Sequence, residues 1–207
     1  VISVETIEDV TTQTSIKPLN IEGGQQKPFG VNNMLNRPGY EDAQIIGFNK
    51  KKTKKEITEN MEYLLYHVIN PLVNDFKEQY SHLVSKVYLT SGLRRHRNGA
   101  KVDKEKSDHY HGAAADLQVF DKNNEKSRKL TFLLGKRLLQ SEIKFRQLIF
   151  ENCGEGSDTK NCYLLHIAAY PPGRKDNKGD IYSFSDNVGK DIRAWTQKKD
   201  ELLRMKV

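Results

Sequence analysis

Cysteine is scarce: only Cys153 and Cys162 occur in 207 residues, which excludes a disulfide-built scaffold and a four-cysteine zinc module. Reduced thiols and a disulfide both remain open for this pair, so the redox compartment is undecided. Long apolar runs are missing as well. Nothing approaches the roughly 18 consecutive apolar residues of a membrane span, and the first thirty residues lack the basic start and apolar run of a secretory signal. A soluble chain with no membrane span is expected. Hydrophobic residues make up 36% of the chain, enough for one sizeable core and too few for two, so a single domain with extensions is expected. Acidic residues fall short of basic ones, 27 against 34, for a formal charge of +7. That excess favours an anionic partner such as nucleic acid, acidic lipid or cell-wall polymer, without choosing between them. The chain opens on Val1 rather than Met, which reads as a processed start or a piece of something longer.

Residues 1–55 lack sustained periodicity and are rich in turn formers, among them Gly23, Gly24, Pro28, Gly30, Pro38 and Gly39. They read as an extended arm that ends in the run Lys50, Lys51, Lys52, Lys54 and Lys55, a solvated linker in its simplest reading. From Thr58 the pattern changes. Met61, Leu64, Leu65, Val68, Ile69, Leu72, Val73 and Phe76 recur at spacings of three and four and predict a long amphipathic helix. Pro71 should bend or divide it. Val87–Leu89 predicts a short strand that delivers Thr90, Ser91 and Gly92 to a loop carrying Arg94, Arg95, His96 and Arg97. Ala113–Phe120 reads as a buried strand, Leu130–Leu139 as a second helix, and Leu148–Phe150 and Tyr163–Ile167 as two further strands. Asp186–Lys206 reads as a charged helix anchored by Ile192, Trp195 and Leu202 or Leu203. The layout is α+β, with residues 56–170 as the compact domain and 171–207 as an extension ending in a helix.

The segment Ser107-Asp108-His109-Tyr110-His111-Gly112-Ala113-Ala114-Ala115-Asp116 concentrates two histidines, a glycine and a carboxylate within ten positions. A catalytic zinc needs about three protein ligands and an open fourth position for water. His109 and Asp116 can supply two, and Gly112 lets the chain turn between them. His166 is the natural third, because it interrupts the apolar strand Leu164-Leu165-His166-Ile167. A core histidine satisfied by a backbone carbonyl is its bland alternative. If Cys153 lies opposite Cys162 in a hairpin, alternation puts Glu151 and His166 on one face as diagonal neighbours. Glu151 then stands where a general base serving the attacking water belongs.

These residues resemble a known family. Ser107-x-His109-x-x-Gly112-x-Ala114-x-Asp116 matches the SxHxxGxAxD signature of the zinc D-alanyl-D-alanine peptidases, whose fold is similar to that of the hedgehog signalling domain. Ser91-Gly92-Leu93-Arg94 looks like the family's SGYR element, with Leu93 in place of tyrosine. Leu148-Ile149-Phe150-Glu151 followed by His166 looks like its closing strand pair. The helix with Asn60, Leu64, Val68 and Pro71 is similar to one found in phage-borne members. The likeness spans roughly residues 56–170. It implies a hedgehog/DD-peptidase-like α+β fold, a central antiparallel sheet with flanking helices. It also implies zinc held by His109, Asp116 and His166, Glu151 as the catalytic carboxylate, and Arg94 on the substrate and the developing oxyanion. The implied substrate is a peptidoglycan peptide, cut by a carboxypeptidase or an endopeptidase that works as a phage lytic enzyme or virion component, with other virion proteins as partners.

His111 is left out of the metal set as a partly exposed loop residue, and Ser107 is read as orienting the loop. The arginine cluster lacks the glycine-rich loop or interleaved aromatics of a nucleic-acid site, so no specific nucleic acid is expected. The rival expectation is a non-catalytic module in which zinc only braces the fold. It draws on Tyr163, Leu164 and Leu165, which stand before His166 where many members carry an acidic residue and an aromatic.

Overall fold

The computed structural model describes residues 29–35, 53–93, 107–153, 159–169, 179–186 and 192–207. Most of the arm, the basic run at 50–52 and the segment 94–106 with Arg94, Arg95, His96 and Arg97 lie outside the described residues. The described part of the arm carries a short helix, α1 (Val31–Met34), and both Phe29 and Met34 are buried in the core.

The expected amphipathic helix begins at Thr53, whose hydroxyl accepts from Glu56 N at 3.2 Å while Glu56 Oε2 accepts from Thr53 N at 2.7 Å, a reciprocal cap. It runs as two pieces, α2 (Lys54–Leu64) and α3 (Asn70–Gln79), with a π-helical turn at Leu65–Ile69 between them. Pro71 explains the division. It sits in the first turn of α3, where a missing N–H is harmless, and Asn70 N reaches back five residues to Leu65 O across the wider turn. The predicted stripe from Met61 to Phe76 is buried throughout.

Six strands form one sheet in the order β1-β2-β4-β3-β5-β6, with β1 Val84–Ser91, β2 Ala114–Asp121, β3 Gln147–Cys153, β4 Cys162–Ala168, β5 Asp180–Asp186 and β6 Ile192–Thr196. The family resemblance implied a central antiparallel sheet. The sheet is mixed, because β5 runs parallel to β3 while every other pair is antiparallel. Both edges of β4 are already taken by β2 and β3, so the chain crosses to the free edge of β3 and returns in the same direction as β3. The α+β class holds.

The C-terminal segment departs further from expectation. Ile192 and Trp195 lie in β6 rather than on a helix, and among the described residues of this segment only Lys199–Arg204 is helical (α5). Short runs rich in aromatic and β-branched residues favour a strand, and β6 gives β5 its second partner. Asp180–Asp186 and Ile192–Thr196 are thus strands of the central sheet. Leu202 is fully buried, and Lys136 Nζ donates to Met205 O at 2.9 Å, which ties the end of the chain to the second predicted helix, α4 (Arg128–Gln140).

That helix packs on one face of the sheet. Leu148 and Phe150 from β3, Leu165 and Ile167 from β4, and Ala115 and Leu117 from β2 join Leu134 and Leu138 in a single core. Gly135 sets the approach distance, since a Cβ there would fall 2.6 Å from the Phe150 ring. Arg137, buried in the same helix, donates from Nη2 to Asp75 Oδ1 on α3 at 2.9 Å, so its charge is paired and not stranded.

Candidate metal centre

The donor segment starts with a 3-10 turn, Asp108–His111, closed by Gly112 in the left-handed conformation at φ 69°. Two constraints require glycine here. A side chain would strain that conformation, and its Cβ would sit 2.9 Å from Ile57 O and 2.8 Å from Met61 Cγ on α2. Asn60 on the same helix donates from Nδ2 to His111 O at 2.8 Å, and Ala113 N returns to Asp108 O at 2.9 Å. The turn is therefore held against α2 before the chain enters β2.

Within β2 and β4, Asp116 and His166 are directly paired across the ladder. His109 reaches them from the turn. His109 Nε2 lies 3.1 Å from Asp116 Oδ1 and 3.0 Å from His166 Nδ1, and His166 Nδ1 lies 2.9 Å from Asp116 Oδ1. All three side chains are buried, at 2%, 1% and 6% exposure in the order His109, Asp116, His166.

Proton accounting shows what such a cluster needs. His109 Nδ1 is 2.6 Å from Gly92 O, and a carbonyl only accepts, so Nδ1 carries a proton, and in the neutral imidazole Nε2 presents a lone pair. Asp116 Oδ1 presents another. With both imidazoles neutral, one proton on His166 Nδ1 could serve only one of the two, leaving lone pair against lone pair in a buried site. His166 Nε2, the ring nitrogen turned away from the cluster, is buried with no hydrogen-bond partner among the described residues. A cation satisfies all three converging donors at once, and His109, Asp116 and His166 can hold a metal ion.

Without a metal, protonated imidazoles can take the cation's place beside Asp116. Burial would push the Asp116 carboxyl up, but the charge and hydrogen bonds of His109, followed by those of His166, outweigh it and hold the group far below the usual carboxylate range. Asp108 goes the other way. Burial raises it in spite of Arg146, whose Nη1 donates to Asp108 Oδ2 at 2.6 Å.

Glu151 faces Leu164, two positions along β4 from His166, and so stands on the donor side of the hairpin in the predicted register. It is half-buried and is not one of the three converging donors. Cys153 and Cys162 pair at the hairpin end as a disulfide, which closes the question the sequence left open. His111 is half-buried and outside the donor set, and Ser107 caps the turn through its backbone, its carbonyl accepting from Tyr110 N at 3.1 Å with no side-chain cap bond. Sequence reasoning missed the Gly92 carbonyl, Asn60 and the Asp108–Arg146 pair as supports. Asn60 was findable, being a polar side chain among the buried residues of an amphipathic helix, whereas Arg146 carries no local signal. No family model, curated protein or solved structure matches this chain. Among the described residues, no helix is long and apolar enough to cross a membrane.

Proposed function

We propose that the chain is a zinc-dependent peptidase acting on peptides of bacterial peptidoglycan, with a hedgehog/DD-peptidase-like fold. The observation that carries this reading is the meeting of His109 Nε2, His166 Nδ1 and Asp116 Oδ1 within 3.1 Å of one another. That spacing is close to the roughly 3.3 Å between neighbouring donors of a tetrahedral zinc with bonds of about 2.0–2.1 Å. Two imidazoles and one carboxylate also suit zinc better than calcium or magnesium, which prefer all-oxygen sites. Zinc bound there would act as a Lewis acid and make a water acidic near neutral pH.

The chain's own groups divide the remaining work. Three protein ligands, His109, Asp116 and His166, would leave a fourth coordination position for water, as a catalytic site requires. Glu151, on the donor side of β3, would take the proton of the attacking water and return it to the leaving amine. Arg94 would donate two parallel hydrogen bonds to a substrate carboxylate or to the developing oxyanion. The net charge of +7 would favour adsorption to an anionic wall, in keeping with a phage lytic enzyme or virion component.

A second reading, a zinc-braced module without turnover, is favoured by one observation: Tyr163-Leu164-Leu165 precede His166, with no carboxylate between Cys162 and the ligand. Incubating the zinc-loaded protein with peptidoglycan and counting released amino groups separates the two. Wild type is expected to release them and Glu151→Gln to lose about 100-fold or more, the usual scale for a general base. No release by wild type would leave the bracing reading standing. Equal release by both proteins would remove Glu151 from the mechanism.

A further inference from the structure

Several contacts outside the donor set converge on Gly92. Its carbonyl accepts from His109 Nδ1 at 2.6 Å. Its α-carbon is pressed against α1, where a Cβ would fall 2.5 Å from both Cα and O of Met34. Leu93 N donates to that same Met34 O at 2.9 Å. The segment bearing Met34 is in turn seated on the helix pair by Asn70, whose Oδ1 accepts from Phe29 N at 3.2 Å and whose Nδ2 donates to Phe29 O at 3.0 Å. Asn70 is 3% exposed, between Ile69 and Pro71 in the apolar stripe, and bonding both backbone groups of Phe29 accounts for a buried amide there.

We propose that residues 29–35 are a clamp on the metal centre: seated by Asn70, they hold the Gly92 carbonyl where it fixes the tautomer of His109 and aims Nε2 at the ion. The inference rests on the metal reading given under Proposed function. Gly92 and Asn70 are positioning residues in this scheme, since neither contributes a converging donor. The physical basis is that a ligating imidazole is oriented by the acceptor on its other nitrogen, and the loss of such an acceptor weakens metal binding. Gly92 is required by space and not by conformation, because its φ lies outside the left-handed region while the Met34 backbone occupies the place of a side chain. A segment that the sequence assigns to an extended arm thereby becomes part of the site's support.

The test uses the full chain and two readouts. Ring nitrogen NMR of the metal-free protein reports the His109 tautomer, and competition against a chromophoric chelator reports zinc affinity. Wild type should show a protonated Nδ1. Asn70→Ala and Gly92→Ala should show mixed tautomers and bind zinc about 10–100-fold more weakly. Ser127→Ala, which removes the cap of α4 far from the clamp, should lower the melting temperature but keep wild-type affinity and tautomer. Asn70→Ala that folds and retains both wild-type readouts would overturn the proposal, as would an equal loss of affinity in Ser127→Ala. Should Gly92→Ala fail to fold, Asn70→Ala decides alone. Wild-type protein that binds no zinc would sink the metal reading, while the tautomer comparison would still judge the clamp.

Discussion

The two faces of the central sheet use the same strands for opposite ends. On one face, Leu117, Leu148, Phe150, Leu165 and Ile167 meet α4 in a continuous apolar core. On the other, Asp116 and His166 bring lone pairs together with His109. The switch takes a single residue, from Leu117 to Asp116 and from Leu165 to His166, because side chains alternate along a strand. The helix-covered face is stable by itself, with Gly135 letting the helix settle onto Phe150. The donor face instead gathers three ligating atoms within 3.1 Å of one another and would gain stability from a bound cation. Core and site therefore share a scaffold, and their energetics should separate.

The largest expected effect falls on the covered face. Phe150→Ala should cost about 3–5 kcal/mol of stability through lost burial and the cavity left under α4, and it should leave zinc affinity near wild type. Denaturant unfolding together with metal titration checks both halves. A large loss of affinity in this variant would show that the faces are coupled.

The next effect belongs to the donor face. Zinc at about a thousand times its dissociation constant should stabilise wild type by roughly 4 kcal/mol. For a chain of this size that corresponds to a rise of about 8–16 °C in melting temperature. Asp116→Ala should lose the rise altogether while remaining folded in the absence of metal, because it removes a donor and leaves the apolar face intact. Thermal scans with and without zinc make the comparison. A variant that still gains stability from zinc would mean that the ion binds elsewhere.

This asymmetry also explains what the sequence revealed. The donors were legible because chemistry restricts them: His109 and Asp116 stand at tight spacing around the turn-forming Gly112, and His166 breaks an apolar run. The hairpin register followed from alternation counted back from Cys153 and Cys162, and the division at Pro71 followed from one missing N–H. The parallel β5 was not legible, since strand direction depends on which edges are already occupied, and that is a property of the assembled sheet. The reading of Asp186–Lys206 as a helix held at Lys199–Arg204 and failed at Ile192–Thr196 for a related reason, because short apolar runs fit either period and tertiary pairing decides. Gly92 stood in the sequence as a loop residue, and nothing local showed that Met34, far upstream, would press against it. Supports built from backbone carbonyls leave little trace in side-chain patterns.

The smallest effect sharpens the comparison most finely. Ser127 Oγ accepts from Leu130 N at 3.2 Å and caps α4, the helix that closes the apolar face. Ser127→Ala should cost about 1 kcal/mol, which for a chain of this length is a fall of roughly 2–4 °C in melting temperature. The loss should be the same with zinc present and absent. The cap fixes the start of α4 and touches none of the donors, so both the zinc-bound and zinc-free folded states should lose the same stabilisation relative to the unfolded chain. A loss that shrank or grew on adding zinc would show that the fraying of α4 is felt across the sheet at Asp116 and His166, and the separation of the two faces would then hold only for large, local changes.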